Sequence, residues 1–273
     1  MSGTWIALLR TPLLPTESSM DSVRLIEDSA PPHWRELQEA TARILSECGL
    51  NARTDVPIRL ARGSVSVDVL AEDLESIPPA VYLCECKLWK ANISQDIVHA
   101  FRTVVSDSGA NAGFLISSSG FQSGTFEAAT FSNVRLLTWP QFQDAFVDRW
   151  FRAFMAPLLR DAENACVEYT EPINSRIQMK EAALSKSRQE QYHRLRETYA
   201  PPIGALMIAW SDFMNGFPPE LPLRSRLRPG GASSINLPND ILDAAALRPL
   251  MSGVMAFYEQ VAREFDQVFG GRA

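Results

Sequence analysis

The sequence predicts an α/β protein in which helices cover both faces of a central sheet, followed by a mainly α-helical C-terminal region. Helical and strand-like patterns alternate up to about residue 150, which is typical of a sheet between two helical layers. Beyond that point the pattern indicates helices joined by loops. The hydrophobic share of 46% and charged share of 21% are ordinary for a soluble globular chain.

These patterns divide the 273 residues into three parts. Residues 1–31 are rich in proline, serine and threonine, which predicts an irregular N-terminal arm. Residues 32–150 form the predicted α/β domain. Residues 151–273 form the helical C-terminal region, to which the sequence assigns no role.

The first predicted element is a helix that follows a pair of prolines and ends at Gly49, a residue suited to a helix C-terminus. Its core-facing residues recur at the i, i+3, i+4, i+7 spacing of an amphipathic helix. They are Leu37, Ala40, Thr41, Ile44, Leu45 and Cys48.

Three strand-like segments follow, at residues 56–63, 64–73 and 80–89. A helix with Ser94 as its N-cap comes next, because serine oxygens accept hydrogen bonds from the first free backbone N–H groups of a helix. A buried strand, a short helix, another strand and a helix starting near Pro140 complete the α/β pattern.

Charged residues interrupt the apolar segment "VYLCECKLWK", residues 81–90. Because strand side chains alternate between the two faces of a sheet, one face carries Val81, Leu83, Glu85 and Lys87. The other face carries Tyr82, Cys84, Cys86 and Leu88. Burying unpaired charge is costly, so Glu85 and Lys87 at the end of an apolar strand require an explanation.

A second carboxylate, Asp68, emerges from the preceding strand "SVSVDVL". Strict alternation predicts that Val65, Val67 and Val69 face one way. Ser64, Ser66 and Asp68 then face the other. If this strand pairs with the next, Asp68 lies beside Glu85.

Two carboxylates and a lysine grouped in this way suit a hard divalent cation such as Mg²⁺, which takes oxygen ligands in proteins. The metal would polarise a phosphodiester and lower the pKa of a bound water, while Lys87 would orient that water. The short D…ExK pattern equally describes an ion pair of Lys87 with Glu85 or Asp68 at a sheet edge.

From about His33 to Phe146 the chain resembles the Mrr-like branch of the PD-(D/E)xK restriction endonuclease superfamily. The words that carry the resemblance are "LQEATARILSECGL", "VDVL", "CECKLWK", "SGANAGFLISSSGFQSGTFEAAT" and "NVRLLTWPQF". The resemblance implies a restriction-endonuclease-like α/β/α core with a central mixed sheet. It also implies a Mg²⁺-dependent DNA endonuclease of the restriction type, acting in defence against foreign DNA, with Mn²⁺ substituting for Mg²⁺.

By the same resemblance, the catalytic residues are Asp68, Glu85 and Lys87. The metal ligands are Asp68, Glu85 and the backbone carbonyl of Cys86. Many family members also carry a glutamate on the first helix, where this chain has Gln38 followed by Glu39. At about 100° per residue, Gln38 flanks the apolar stripe and Glu39 points away from it, so only Gln38 is well placed to orient a water.

Lys90 and Gln122 are candidate nucleic-acid-binding residues, since both follow predicted strands near the site. A solvated lysine and a turn that caps the next helix are the ordinary structural alternatives. The expected partner is DNA, and a homodimer or a separate defence-system subunit are further partner hypotheses. A catalytically inactive nuclease-fold module that binds nucleic acid or protein is the alternative function.

The net charge of −6 and pI of about 5.2 exclude binding to DNA by bulk positive charge. The four cysteines show no CxxC spacing, which argues against zinc and for a reducing compartment. The sequence contains no G-x-x-x-x-G-K-[ST] phosphate loop and no G-x-S-x-G elbow. Without a recognisable signal peptide or an apolar run of about 20 residues, we expect a cytoplasmic protein with no membrane contact.

Overall fold

The computed structural model describes residues 23–61, 63–214, 221–225 and 235–270. The strands are β1 (Asn51–Leu60), β2 (Gly63–Asp73), β3 (Ala80–Lys87), β4 (Ala112–Ser117) and β5 (Val134–Thr138). The helices of the α/β part are α1 (Trp34–Glu47), α2 (Gln95–Ser108), α3 (Ser123–Ala129) and α4 (Trp139–Trp150). The C-terminal helices are α5 (Ala156–Thr170), α6 (Ser175–Ala182), α7 (Lys186–Met214), α8 (Asn239–Leu242) and α9 (Leu247–Phe269).

The five strands form one mixed sheet in the order β1-β2-β3-β4-β5. The pairs β1–β2 and β2–β3 are antiparallel, whereas β3–β4 and β4–β5 are parallel. The carboxyl ends of β3, β4 and β5 therefore lie side by side, at Lys87, Ser117 and Thr138. We call this side of the sheet the carboxyl edge, where ligands of α/β proteins commonly bind.

Helices cover both faces of the sheet, as the sequence predicts. One buried cluster joins α1 and α4 to one face, which includes Cys84 and Cys86. The other cluster joins α2 to the opposite face, which includes Leu83 and Leu115. The alternation predicted for β3 is thereby confirmed, and the predicted stripe of the first helix is buried. The mixed sheet between helical layers has the predicted restriction-endonuclease-like arrangement.

The cysteines behave as small apolar residues. All four are buried free thiols. Burial raises the pKa of the Cys86 thiol to about 12, and a hydrogen bond with Thr41 offsets part of this rise. A thiol held in its neutral form is a poor nucleophile, so the structure gives these cysteines a packing role.

Helix α2 packs closely on β4 at Gly113. A Cβ added at Gly113 would lie 2.5 Å from Val105 Cγ2 and 2.9 Å from Phe101 Cε1. We expect Gly113→Ala to lower the free energy of unfolding by about 1–3 kcal/mol through overpacking, measured by urea denaturation. Gly204→Ala is the matched control, because nothing lies within 4 Å of its added Cβ in α7. Equal stability of the Gly113→Ala variant and the wild type would contradict this packing argument.

The C-terminal helices share their core with the α/β part. The buried cluster on the α1 side of the sheet continues into α5, α7 and α9. The described part of the predicted N-terminal arm, residues 23–31, contains no helix or strand and packs between helices. Its Leu25 carbonyl accepts from Leu247 N of α9 at 2.9 Å, and Ile26 N donates to Gln143 Oε1 of α4 at 2.9 Å. Residues 1–22 of the predicted arm lie outside the described residues.

Candidate active site

The strands β2 and β3 part at the carboxyl edge. Their backbone pairing begins at Asp73 and Ala80 and ends at Val69 and Cys84. Beyond this point β3 pairs only with β4, and β2 pairs only with β1. The next opposed positions would be Asp68 and Glu85, which the sequence predicts to lie side by side.

At Asp68, the side chains of β2 switch from one face of the sheet to the other. Val67 belongs to the buried cluster on the α2 side, whereas Val69 belongs to the cluster on the α1 side. The prediction that Val65, Val67 and Val69 share one face is therefore wrong. The change of face coincides with a distortion of the neighbouring strand, where Asp55 has φ +52° and the pairing of β1 with β2 skips Asp55 and Asp68. Aspartate is among the few non-glycine residues that adopt this conformation readily.

The change of face directs the Asp68 carboxylate toward α1 and β3. Its Oδ1 accepts a hydrogen bond from Gln38 Nε2 at 2.7 Å. Its Oδ2 accepts one from the backbone N–H of Cys86, also at 2.7 Å. The Asp68 carboxylate therefore accepts the Cys86 N–H in place of a backbone carbonyl of β2, just beyond the end of the β2–β3 pairing. Each carboxylate oxygen keeps a lone pair beyond these bonds.

Glu85 and Lys87 form an ion pair on the other side of β3 from Cys86. Their side chains are 24% and 19% exposed, so both charges are largely withdrawn from water. Burial raises the pKa of the Glu85 carboxyl, the hydrogen bond from Lys87 opposes this rise, and the nearby charge of Asp68 adds to it. Lys87 Nζ also lies 5.7 Å from the centre of the Trp89 ring.

Gln38 is the third group at Asp68. It is 1% exposed, and its Oε1 is buried without a hydrogen-bond partner among the described residues. An unsatisfied buried acceptor costs about 1–3 kcal/mol. The neighbouring Glu39 is exposed, so of the two first-helix candidates it is Gln38 that contacts Asp68.

The segments that follow β3 and β4 are tied together at the carboxyl edge. Ser118 N donates to the Lys87 carbonyl at 3.1 Å. The hydroxyl of Ser119 donates to the Ala91 carbonyl at 2.7 Å. These bonds hold the segment after Lys87 in place. The run of serines in "GFLISSSG" is the signal that could have predicted this support.

Lys90 and Gln122 are both exposed in these two segments. The Gln122 backbone N–H donates to the Ile93 carbonyl at 3.0 Å, as expected for an ordered turn before α3. None of the described hydrogen bonds joins the Lys90 or Gln122 side chain to Asp68, Glu85 or Lys87. The structure thus groups the two carboxylates and the lysine but leaves these two candidates separate from them.

Two further classes of site find no support in the part of the chain that the structure describes. It contains no group of three or more histidine, cysteine, aspartate or glutamate side chains arranged to hold a metal ion. None of its helices is both long enough and apolar enough to cross a membrane. A Mg²⁺ site needs fewer protein ligands, because Mg²⁺ keeps several waters and is usually bound by one or two carboxylates.

A family model described as a restriction endonuclease, Mrr_cat, matches residues 32–146. No curated protein matches the chain. A solved structure of a protein of unknown function, AF1548, aligns with 88% of this chain and with 100% of its own length. The two share 13% identity at a TM-score of 0.36, too low a similarity to inform fold or function. The family match coincides with the sheet, its covering helices and the Asp68–Glu85–Lys87 group. Over residues 32–146 this chain is thus similar to the Mrr-type restriction endonucleases of the PD-(D/E)xK nuclease superfamily.

Proposed function

We propose that this protein is a Mg²⁺-dependent DNA endonuclease of the restriction type, with Asp68, Glu85 and Lys87 as its catalytic residues. The observation that carries the proposal is the parting of β2 and β3 at the carboxyl edge. There the Asp68 carboxylate bonds to the backbone of Cys86, between Glu85 and Lys87 in sequence. Two carboxylates and a lysine at one strand end suit phosphodiester hydrolysis better than they suit a packed core.

The donor set fits a hard divalent cation. Asp68 and Glu85 offer carboxylate oxygens, and the Cys86 carbonyl points to the same side as its N–H, toward Asp68, because the two groups of one strand residue project together. The buried Gln38 Oε1, which lacks a partner in the described structure, is suited to accept from a water at this site. When bound, Mg²⁺ supplies positive charge that polarises the phosphodiester and lowers the pKa of water. Mn²⁺ is proposed to substitute.

Lys87 is proposed to orient the attacking water and to stabilise negative charge on the phosphate. Its ammonium uses one N–H for Glu85, and its remaining donors are free to reach a substrate oxygen. Positive charge held in advance near a reacting phosphate acts most strongly in a site with little water. The low exposure of Lys87 meets this condition.

The wider setting rests on family analogy. Lys90 and Gln122 are proposed to contact the nucleic-acid backbone beside the site. A homodimer would bring two sites to the two strands of DNA, and a separate defence-system subunit is a second partner hypothesis. We place the protein in cytoplasmic defence against foreign DNA, without membrane contact.

The direct test is cleavage of supercoiled plasmid by the purified protein. We expect nicked and linear products with Mg²⁺ or Mn²⁺ and none with EDTA, because the carboxylates lack the charge that polarises the phosphate when the metal is removed. An RNA of matched length serves as a comparison substrate. The absence of metal-dependent cleavage of DNA under any of these conditions would refute the proposed activity.

The second candidate is an inactive nuclease-fold module that binds nucleic acid or protein. The Lys87–Glu85 ion pair favours it, because this pair already neutralises both charges. Metal titration separates the two candidates. The raised pKa of Glu85 means that the folded state binds this proton more tightly than the unfolded state. The contribution of Glu85 to the stability of the metal-free protein therefore falls as pH rises above 4.5.

Mg²⁺ binds the ionised carboxylate, so the proposed nuclease should gain more thermal stability from millimolar Mg²⁺ at about pH 8 than at about pH 5. Differential scanning fluorimetry with Mg²⁺, Mn²⁺ and K⁺ measures this gain. If the protein is an inactive module, neither divalent ion should change its melting temperature at either pH.

A further inference from the structure

The hairpin formed by β1 and β2 extends past the end of the sheet beside the candidate active site. The last pair that joins β2 to β3 is Val69 and Cys84. At about 3.3 Å per residue, β2 runs about 20 Å back from Val69 to its start at Gly63. Over the same direction β3 runs only about 10 Å, from Cys84 to its end at Lys87. The outer part of the hairpin therefore projects about 10 Å beyond the strand end that carries Lys87.

We call this outer part of the hairpin, residues 56–60 and 63–67, the ribbon. Its two segments pair with each other and with no other strand that the structure describes. One face of the ribbon is apolar and packs against the buried cluster on the α2 side, through Val56, Ile58, Val65 and Val67. The other face is exposed and consists of Pro57 opposite Ser66 and Arg59 opposite Ser64. The apolar face thus holds the ribbon in place, while the polar face is left to water.

The polar face of the ribbon lies on the same side of the sheet as the Asp68 carboxylate. It is opposite the face that packs toward α2, and the bond from Gln38 of α1 shows that Asp68 also points away from α2. Ser64 is four residues from Asp68 along β2, a separation of about 13 Å. This separation corresponds to about four base-pair steps of DNA. A duplex with a phosphate at Asp68 is therefore long enough to reach the ribbon.

The charge and hydrogen-bonding groups of the polar face are complementary to DNA. Residues 56–67 contain no acidic residue, although the chain has 32 of them. None of the described hydrogen bonds or ion pairs uses the side chains of Arg59, Ser64 or Ser66. Arginine binds phosphate oxygens well, and serine hydroxyls contact phosphates and base edges. Because the net charge is −6, binding to DNA depends on local surfaces of this kind.

We propose that the ribbon enters the major groove of double-stranded DNA beside the scissile phosphate, with Arg59 bound to a backbone phosphate. This inference rests on the proposed function and names the surface that holds its duplex substrate. Two strands about 4.8 Å apart fit the major groove, which is about 12 Å wide and admits a two-stranded β-ribbon. The short side chains of Ser64 and Ser66 let the backbone of the ribbon lie close to the DNA.

The test measures binding without cleavage. A fluorescein-labelled duplex of about 20 base pairs, two helical turns, is titrated with protein in EDTA at several salt concentrations. Arg59→Ala should weaken binding about tenfold at about 50 mM salt, and it should reduce the slope of log K against log salt by about one. Arg53→Ala is the matched control, because Arg53 lies on the same strand at the opposite edge of the sheet, where it pairs with Glu72. This control should bind the duplex as the wild type does.

A second variant tests the ribbon by a gain of affinity, which partial unfolding would not produce. Ser64→Lys adds a cation to the polar face, so we expect duplex binding to tighten about tenfold at about 50 mM salt. Ser46→Lys is its control, because Ser46 is exposed in the last turn of α1, just before β1 begins at the opposite edge of the sheet. The wild type should also bind the duplex more tightly than either of its single strands, since a single strand has no groove.

Changes in the Arg59→Ala and Ser64→Lys variants no larger than those of their controls would overturn the ribbon. Equal affinity of the wild type for duplex and single strand would also overturn it. Metal-dependent plasmid cleavage alongside either result would leave the proposed nuclease intact. Conversely, both changes at their expected size without any metal-dependent cleavage would support the ribbon and refute the nuclease.

Discussion

Asp68→Asn should reduce Mg²⁺-dependent DNA cleavage by at least about a hundredfold while leaving the fold intact. Asparagine has nearly the same shape, and its carbonyl oxygen can still accept from the Cys86 N–H that now donates to Oδ2 at 2.7 Å. It lacks the negative charge that holds a divalent cation, and the loss of one group that stabilises transition-state charge typically costs 10²–10³-fold in rate. Initial rates of plasmid nicking measure the effect.

Lys87→Met is expected to cause a loss of similar size, about 10²–10³-fold. Methionine keeps an unbranched chain of similar length at this largely buried position, but it removes the ammonium. Glu75→Gln is the matched control for both changes, because it removes one exposed charge from the loop between β2 and β3, at the opposite end of β2 from Asp68. Rates of both site variants within about threefold of this control would contradict the assignment of Asp68 and Lys87.

Arg248→Ala should lower the free energy of unfolding by about 3 kcal/mol. Arg248 donates to Glu47 of α1 at 2.6 Å and to Glu27 of the N-terminal segment at 2.8 Å. Its guanidinium also lies over the ring of Trp150, 5.3 Å from the centre. The two glutamates are only 13% and 16% exposed. The substitution leaves the largely buried Glu47 without its cation, while Glu27 keeps its pair with Arg43 at 3.0 Å.

The matched control is Arg263→Ala, on the same helix α9. Arg263 pairs with Glu259 at 3.9 Å, and both side chains are more than 60% exposed, so this pair should contribute well under 1 kcal/mol. Urea denaturation of the two variants measures the difference. If the Arg248→Ala variant unfolds at the same urea concentration as the Arg263→Ala variant, the helical region is not fastened to α1 through this contact.

The periodicity of apolar residues was enough to predict the elements near the site. The stripe from Leu37 to Leu45 is buried as expected, and β3 divides its side chains between two cores as the alternation predicts. Both patterns reflect local geometry, since the helical and strand repeats fix which residues share a face. The family resemblance added the α/β/α core with a central mixed sheet, and the expected pairing of neighbouring strands placed Asp68 beside Glu85.

The orientation of Asp68 could not be predicted in the same way. Strict alternation assigns Val67 and Val69 to one face, yet they lie in different buried clusters. The change coincides with the positive φ of Asp55, which is distant in sequence and adjacent only through strand pairing. A pattern within one strand carries no information about distortion imposed by its neighbour.

The sequence by itself determined the α/β class and led to the prediction that Asp68, Glu85 and Lys87 form a site on β2 and β3. Only the tertiary structure decided that Gln38 contacts Asp68 and that Lys87 pairs with Glu85. The physical reason is the range of the interactions. Faces and caps follow from repeats within a few residues, whereas these contacts join α1, β2 and β3 through the packing of the whole sheet.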